Sequence, residues 1–230
     1  MKILLIAGHG GSDPGACAQG ARECDLARNL VPQIRASLAQ YGAEAAIYNT
    51  ARSAYHDLIA MGYAYNFKPY DYVLEVHFNA CVNDFMGDGR VTGSEIYVTR
   101  DERKTYAEDA ILRRMATIGF KNRGVKRKNY SVIMEAKRQG VSSALLEVCF
   151  MDDSDDMKLY NKNTKKIAAA IADGIAEGYK LKSKNDAPET WAKAAWDKAK
   201  KLGITDGQRP HDACTREELV TMLHRAGVIK

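Results

Sequence analysis

The chain has 230 residues, of which 46% are hydrophobic and 27% are charged, and its formal net charge is +5. This length fits one domain and a small appendage, and the composition is that of a globular protein. The charge is too small and too evenly spread to indicate nucleic-acid binding, and no apolar run approaches the ~18 residues that a membrane span requires. We therefore expect neither nucleic acid nor a membrane among the partners.

The amino-terminal stretch MKILLIAGHGG has an apolar run too short for the core of a signal peptide, and no small-residue cleavage site follows it. The sequence therefore predicts a chain made in the cytoplasm, which reaches the outside by another route if it works there. The five cysteines form no C-x-x-C pair, and their number is odd. This pattern predicts reduced thiols rather than a disulfide framework.

The first half of the chain alternates between strand-like and helix-like patterns. KILLIA, residues 2–7, is a continuous apolar run typical of a buried strand, and a glycine-rich loop follows it. Apolar residues at helical spacing predict a helix over residues 20–40, and a second strand is predicted after Gly42. Ser53 is a candidate cap for a helix that ends near Asn66.

The alternation continues to about residue 180. YDYVLEVHFNA predicts a third strand, and GSEIYVTR predicts a fourth after a polar loop over residues 81–92. A helix is predicted from about residue 102 to 118, YSVIMEA is a short strand or a turn, and residues 142–151 form another buried strand. A helix with one isoleucine face, from Ile167 to Ile175, closes this part. The order predicts an α/β domain over residues 1–180, with a mostly parallel central sheet and helices on both faces.

A small helical module follows this domain. Hydrophobic periodicity is lost over the predicted linker, residues 181–188, and residues 189–230 show two helical segments around a turn. Thr215 and Glu218 have the spacing of a capping box at the start of the second segment. A unit of about 40 residues buries little apolar surface by itself, so we expect it to pack against copies from other chains or against the preceding α/β domain.

Ligand-type side chains cluster where predicted strands end. His9 follows the first strand, Glu23 begins the first helix, His77 ends the third strand and Glu147 lies near the end of a late strand. Sites in open α/β sheets form beyond the carboxyl ends of the strands. Two imidazoles and a carboxylate make a zinc set with one open position, and a second carboxylate can act as a base. Cys24 is an alternative, softer ligand, but adjacent helical residues point about 100° apart.

The glycine-rich loop also permits a different interpretation. GHGGSDPG has the composition of a nest of backbone amides that binds an anion such as phosphate. No lysine, serine or threonine suited to phosphate and magnesium follows it, and this interpretation leaves Glu23 and His77 without a role. The residues alone leave both the metal site and the anion nest open.

Several separated motifs resemble one known family. GHGGSDPGA with a following glutamate, then VHFNA, GSEIYV, NRGVK and LLEVCFMDD, occur in the order found in the zinc-dependent N-acetylmuramoyl-L-alanine amidases of the amidase-3 family, phage-endolysin type. The resemblance covers nearly all of residues 1–180. It implies that His9, Glu23 and His77 bind Zn2+, that Glu147 is the catalytic base, and that zinc-assisted hydrolysis splits the amide between N-acetylmuramic acid and L-alanine.

The resemblance also suggests substrate contacts and shows departures. Asn79 of the H-x-N-A motif is a candidate substrate contact, and Arg123 is a candidate partner for the carboxylates of the peptide or, alternatively, part of a solvated basic turn. Cys149 stands where the family has glycine, and Asp152 and Asp153 stand where asparagine is expected. These changes concern the shape of a loop rather than the metal ligands.

The carboxyl-terminal module resembles a single S-layer-homology repeat, through GI-x-DG-x-x-P and TREE. This resemblance implies wall binding or self-association, with peptidoglycan as the main partner. We expect a phage endolysin that leaves the cytoplasm through a holin pore. A bacterial autolysin and a non-catalytic wall-binding protein on the amidase fold are the alternatives, and the full set of four site residues argues against the last.

Overall fold

A computed structural model of the protein describes residues 1–183, 188–207, 210 and 214–229. The chain divides into two units, Met1–Leu181 and Lys182–Lys230. Residues 184–187 of the predicted linker and His211, to which the sequence gives no role, lie outside the described residues. Within the described ranges, no helix is both long and apolar enough to cross a membrane.

The first unit is built on a six-stranded sheet in the order β4–β1–β5–β8–β6–β7. The strands of this unit are β1 (Lys2–Ala7), β2 (Cys17–Ala18), β3 (Ala21–Arg22), β4 (Glu44–Ile47), β5 (Tyr72–Asn79), β6 (Ser94–Val98), β7 (Asn122–Arg127) and β8 (Ser142–Phe150). Of these, β2 and β3 form a separate small hairpin. Neighbouring strands of the large sheet are parallel except β6 and β8, which are antiparallel. The predicted α/β class with a mostly parallel sheet is confirmed.

Helices cover both faces of this sheet. They are α1 (Glu23–Leu38), α2 (Tyr106–Ile118), α3 (Ser131–Arg138) and α4 (Ser154–Gly178). Ile3 and Leu5 of β1 share a core with α1, α2 and α4, while Leu4 and Ile6 share the opposite core with α3. Because both faces of β1 are covered, the strand cannot alternate between apolar and polar residues. This explains the continuous apolar run in KILLIA.

Two predicted elements differ from the structure. YSVIMEA is neither a strand nor a turn but begins α3, because Val132, Ile133 and Ala136 bury one helical face. The helix predicted from Ser53 to about Asn66 starts as expected but is much shorter: helical residues run from 54 to 60, of which His56–Ala60 are π-helical, and Gly62 follows in the left-handed region at φ 65°. Ser53 does cap the segment, since its Oγ accepts the His56 N–H at 3.3 Å.

The second unit contains α5 (Thr190–Lys201) and α6 (Arg216–Arg225). The capping box is present, because Thr215 Oγ1 accepts from the Glu218 N–H and the Glu218 carboxylate accepts from the Thr215 N–H. Neither helix buries a residue within the described part of the unit, and Trp191 is 83% exposed. The two helices therefore leave part of their apolar surface exposed, although Trp196 of α5 and Leu223 of α6 are half-buried.

Candidate metal centre and active site

Three strands bring the candidate site residues to one edge of the sheet. The Gly8 N–H extends the pairing of β1 with β5 by donating to the Val76 oxygen at 2.9 Å, and His77 lies directly beside Glu147 of β8 in register. Gly8 has no room for a side chain, since a Cβ there would lie 2.4–2.6 Å from atoms of the His77 ring. The sequence places glycine here because an imidazole packs directly on the main chain.

Glu23, the first residue of α1, lies between the two histidines. Its Oε1 is 2.8 Å from His77 Nδ1, and its Oε2 is 3.1 Å from His9 Nε2. The main-chain N–H groups of Phe78 and Ala16 donate to the same two oxygens, which fixes the carboxylate in place. One ligand atom from each of His9, Glu23 and His77 lies within 4.8 Å of the others. The structure therefore brings the three predicted ligands together.

The second nitrogen of each imidazole faces another carboxylate. His9 Nδ1 is 2.8 Å from Asp13 Oδ2, and His77 Nε2 is 3.2 Å from Glu75 Oε1. A metal-binding histidine usually gives its outer N–H to such a group, which orients the ring and fixes its tautomer. This leaves His9 Nε2 and His77 Nδ1 for a cation beside Glu23. The donor set, two imidazoles and one carboxylate around a common point, fits a divalent metal such as zinc.

The electrostatics of the metal-free site favour positive charge. Burial alone lowers the pKa of His77, but its hydrogen bond with Glu23 and the charges of Glu75 and Glu147 raise it well above its usual value. Burial raises the pKa of Glu23, but the two histidines lower it to a net value far below the usual range. His9 also has a raised pKa, because Glu23 and Asp13 outweigh its desolvation. The carboxylates around the two imidazoles therefore favour a positive charge between them.

Glu147 differs from the other carboxylates because it has no partner. Its Oε2 is shielded from solvent, and no hydrogen bond reaches it within the described part of the chain. Burial raises the pKa of Glu147 to about 7; the charge of His77 opposes this rise, and those of Glu23 and Glu95 add to it. A carboxyl group whose pKa lies near neutrality, next to a candidate metal site, is suited to general base and acid catalysis.

A second cluster of charged residues lies beside Glu147. Glu95 of β6 is the register partner of Glu147 and is 2% exposed. Asn79 Nδ2 donates to Glu95 Oε1 at 3.1 Å, while Arg123 Nε and Lys126 Nζ donate to Oε2. Both predicted substrate contacts, Asn79 and Arg123, therefore contact Glu95 in the structure.

Sequence reasoning missed Glu95 and Lys126 because it looked only for carboxyl ends of strands. Since β6 is antiparallel to β8, the site edge of the sheet holds the amino ends of β6 and of its parallel neighbour β7. The sequence did contain one indication of Glu95: a glutamate stands inside GSEIYV, a segment that otherwise predicts a buried strand. A buried carboxylate requires cationic partners, and NRGVKR, which begins three residues after the helix-ending Gly119, supplies them.

Arg28 of α1 was also missed, and it holds the loop that carries His9. Its five N–H groups donate to five main-chain oxygens, at 2.6–3.2 Å, those of Gly8, His9, Cys24, Thr50 and Arg52. His9 itself is in the left-handed region at φ 58°, a conformation that costs energy for a residue with a side chain. The Arg28 guanidinium ties this turn to α1 and to the loop after β4.

The departures in LLEVCFMDD anchor the loop after β5. Asp152 Oδ2 accepts from three consecutive main-chain N–H groups of that loop, at 2.7–2.8 Å, those of Cys81, Val82 and Asn83. Asp153 Oδ2 accepts from the N–H and the hydroxyl of Thr92, and its Oδ1 caps α4. Cys149 is fully buried in the core rather than exposed at the site. The aspartates thus define the shape of the loop over residues 81–92.

Comparisons with known proteins identify the family of the chain. The family model Amidase_3, described as N-acetylmuramoyl-L-alanine amidase, matches residues 3–177. The endolysin of Bacillus phage SPP1 is 28% identical over 212 residues, which cover 89% of this chain and 76% of that protein. The sporulation-specific N-acetylmuramoyl-L-alanine amidase of Bacillus subtilis (strain 168) is 28% identical over 188 residues, covering 79% of this chain and 69% of that protein.

Solved structures show the same fold. The catalytic domain of CwlV, an N-acetylmuramoyl-L-alanine amidase from Bacillus (Paenibacillus) polymyxa var. colistinus, matches with a TM-score of 0.61 at 21% identity, covering 79% of this chain and 100% of that one. The catalytic domain of the CD27L endolysin matches with a TM-score of 0.60 at 21% identity, covering 76% of this chain and 96% of that one. At this identity the likeness concerns the architecture alone.

Proposed function

Since this chain belongs to the Amidase_3 family, it is a peptidoglycan amidase, and we propose that it works with one zinc ion held by His9, Glu23 and His77. One observation carries the proposal. The Glu23 carboxylate lies between His9 Nε2 and His77 Nδ1, while the outer nitrogen of each ring faces a further carboxylate. Two imidazoles and one carboxylate are a set used by catalytic zinc sites, which keep a further position open.

Each of these groups then has a separate role in amide hydrolysis. Zinc, when bound, supplies a Lewis acid that polarises the amide carbonyl and acidifies water. Glu147 Oε2 accepts the proton of the attacking water and passes it to the alanine nitrogen as the carbon–nitrogen bond breaks. The products are a lactyl carboxylate on the glycan and a free amino-terminal alanine on the peptide. Asn79 and Arg123 are proposed to contact the substrate at the same edge of the sheet.

Digestion of purified peptidoglycan tests this function. We expect mass spectrometry to show intact glycan strands and peptides with a new amino-terminal alanine. A chelator is expected to abolish the release, and added zinc is expected to restore it. Release of amino sugars or of shortened peptides, or full activity after the metal has been removed, would contradict the proposal.

We propose an endolysin rather than an autolysin as the biological role, because a phage endolysin aligns over 89% of this chain. The enzyme then reaches the wall after a holin opens the membrane. Expression in a host whose wall the enzyme digests provides the test. We expect growth to continue until the membrane is permeabilised and lysis to follow at once. Lysis without permeabilisation would favour secretion, as for an autolysin.

The carboxyl-terminal unit is proposed to bind the wall or a second copy of the chain. The exposed Trp191 on α5 and Leu219 on α6, 83% and 51% exposed, support this role. Light scattering on the full chain is expected to give a mass above the 25.5 kDa of one copy, a trimer more readily than a dimer, and Trp191→Glu is expected to lower it. A monomer that also fails to sediment with cell walls would refute both roles.

A further inference from the structure

We propose that the outer edge of the Arg123 guanidinium, with Lys126 beside it, binds the carboxylate of the second residue of the peptide stem, and that Glu95 is the positioning residue for both cations. This proposal rests on the proposed function, because the carboxylate belongs to the peptide that leaves when the amide is hydrolysed. It adds a preference to that function: a stem with a free carboxylate at its second residue over one with a carboxamide.

Glu95 holds the two cations side by side. It is 2% exposed, and a single oxygen, Oε2, accepts from Arg123 Nε at 2.6 Å and from Lys126 Nζ at 2.5 Å. The other oxygen accepts from the Tyr97 hydroxyl at 2.7 Å and from Asn79 Nδ2. A buried carboxylate with four donors has a fixed geometry, so the two cations that it binds are fixed as well.

Arg123 uses only its inner N–H for this contact. Within the described ranges, no group accepts a hydrogen bond from its two terminal nitrogens, and the side chain is 30% exposed. The guanidinium also stacks on the Phe150 ring, with 4.8 Å from its central carbon to the ring centroid. An arginine fixed through Nε and by an aromatic face presents its terminal N–H groups as a planar fork, the geometry that matches a carboxylate.

The charge balance of the cluster also favours an anionic ligand. Two cations, Arg123 and Lys126, face the single carboxylate of Glu95, which leaves one positive charge. Burial raises the pKa of Glu95, but hydrogen bonds from Lys126, Arg123 and Tyr97 outweigh this and lower it. Glu95 therefore stays ionised and keeps the cations in place without a proton of its own. A carboxylate ligand would complete the balance.

The distance from the reaction centre fits the second stem residue. Glu95 is the register partner of Glu147, so Arg123 on the next strand lies two strand spacings away, about 10 Å. The Arg123 guanidinium stacks on Phe150, at the end of the strand that carries Glu147, so the guanidinium lies nearer to Glu147 than the strand spacing alone indicates. One extended residue spans ~3.5 Å, so the second stem residue extends from roughly 3.5 Å to 7 Å beyond the scissile amide. The first residue is too near, and residues beyond the third are too far.

Two synthetic muramyl peptides that differ only at the second stem residue, carboxylate or carboxamide, test the proposal on the full-length zinc enzyme. The contact is made equally in the ground and transition states, so it affects KM rather than kcat. We expect KM to be roughly 10–100-fold lower for the carboxylate, the size of a charge-assisted hydrogen bond. Equal KM values for both peptides would overturn the subsite while leaving the amidase function intact. If neither peptide is cleaved, the proposed function fails with it.

Substitutions test which residues cause the preference for the carboxylate peptide. Arg123→Gln and Glu95→Gln are each expected to reduce the carboxylate preference to about 3-fold or less, because the first removes the fork and the second removes its anchor. A purely structural role for Glu95 would lower activity on both peptides and leave their ratio unchanged. Arg100→Gln, at the opposite end of β6, makes the same charge change at an exposed residue and is expected to keep the full preference. A preference that survives Arg123→Gln would show that Arg123 only neutralises Glu95.

Discussion

Arg28 donates a hydrogen bond from its guanidinium to the main-chain oxygen of His9, at 2.7 Å, and through its other nitrogens it also binds Gly8 and the loop after β4. The side chain of His9 is a candidate metal ligand, whereas its main chain is held in the left-handed region. Arg28 therefore acts on the candidate metal site through the backbone of His9, without contacting the His9 ring.

Replacing this guanidinium should weaken metal binding. Arg28→Lys keeps the charge but loses the fork that reaches several carbonyls at once. We expect zinc affinity, measured by competition with a chelator, to fall about 10–100-fold, as for other residues that orient a ligand. Arg35→Lys, on an exposed face of the same helix, is the control and should leave the affinity unchanged. Unchanged affinity in Arg28→Lys would show that the loop holds its shape unaided.

Gly8→Ala tests the packing of His77 on the main chain. The backbone at Gly8 has no positive φ, so alanine is acceptable there except for the contact of its Cβ with the His77 ring. We expect the ring to move, with a loss of zinc affinity and about 1–3 kcal/mol of unfolding free energy, as for overpacking. The matched variant Gly20→Ala has a positive φ but nothing within 4 Å of the added Cβ. It should cost about 1 kcal/mol from backbone strain alone and keep the metal.

Glu147→Gln tests whether Glu147 acts as the catalytic base rather than as a metal ligand. The amide has nearly the same shape but cannot take up a proton, so kcat should fall at least 10²–10⁴-fold, the typical contribution of general acid–base catalysis. Zinc content should match that of the unmodified enzyme, because Glu147 is not in the ligand set. Turnover of purified peptidoglycan at the original rate would remove Glu147 from the mechanism. Loss of the metal in this variant would instead make it a ligand.

Zinc binding should compete with protons. His77 has a pKa raised above the reference value of 6.5, and His9 does as well, so each must lose a proton before it binds the metal. Apparent zinc affinity is therefore expected to rise with pH through this range. Calorimetry in buffers of different ionisation enthalpy should show proton release on binding. Affinity that stays flat between pH 6 and about 8 would contradict the raised pKa values.

The metal-free protein should show the opposite trend in stability. A raised histidine pKa stabilises the fold below pH 6.5, and this contribution is lost as the pH rises through the folded value. The lowered pKa of Glu23 stabilises the fold above pH 4.5 and is lost as the pH falls through its folded value. The Tm of metal-free protein should therefore fall as pH rises above 6.5, while the increase in Tm on adding zinc grows.

Much of this molecule could be predicted from its sequence because strong local patterns coincide with tertiary demands. KILLIA is an almost continuous apolar run, and in SSALLEVCF the apolar residues are interrupted only by Glu147 after the two leading serines; such runs are typical of strands covered on both faces. His9 and His77 come at or just after the ends of parallel strands, so they lie at the same edge of the sheet. Glu23 lies near them because α1 begins at that edge. Resemblance to the family then added roles that the pattern alone left open.

The remainder depends on interactions between distant segments. The antiparallel direction of β6 brings Glu95 to the site edge, and no local pattern fixes that direction. Arg28 looks like any polar helix residue until the loops around it are in place. YSVIMEA is helical because Val132 and Ala136 meet the core, whereas its β-branched residues alone favoured a strand or turn. Tertiary contacts therefore decided each of these features.

Anomalous diffraction at the zinc edge, from crystals of the full chain grown with zinc, tests the central claim most directly. We expect a single strong peak in the catalytic unit, bound by His9 Nε2, His77 Nδ1 and the Glu23 carboxylate at about 2.0–2.2 Å. The outer nitrogens should remain on Asp13 and Glu75. A peak ligated by Cys24, or the absence of any peak between the two imidazoles, would contradict the account.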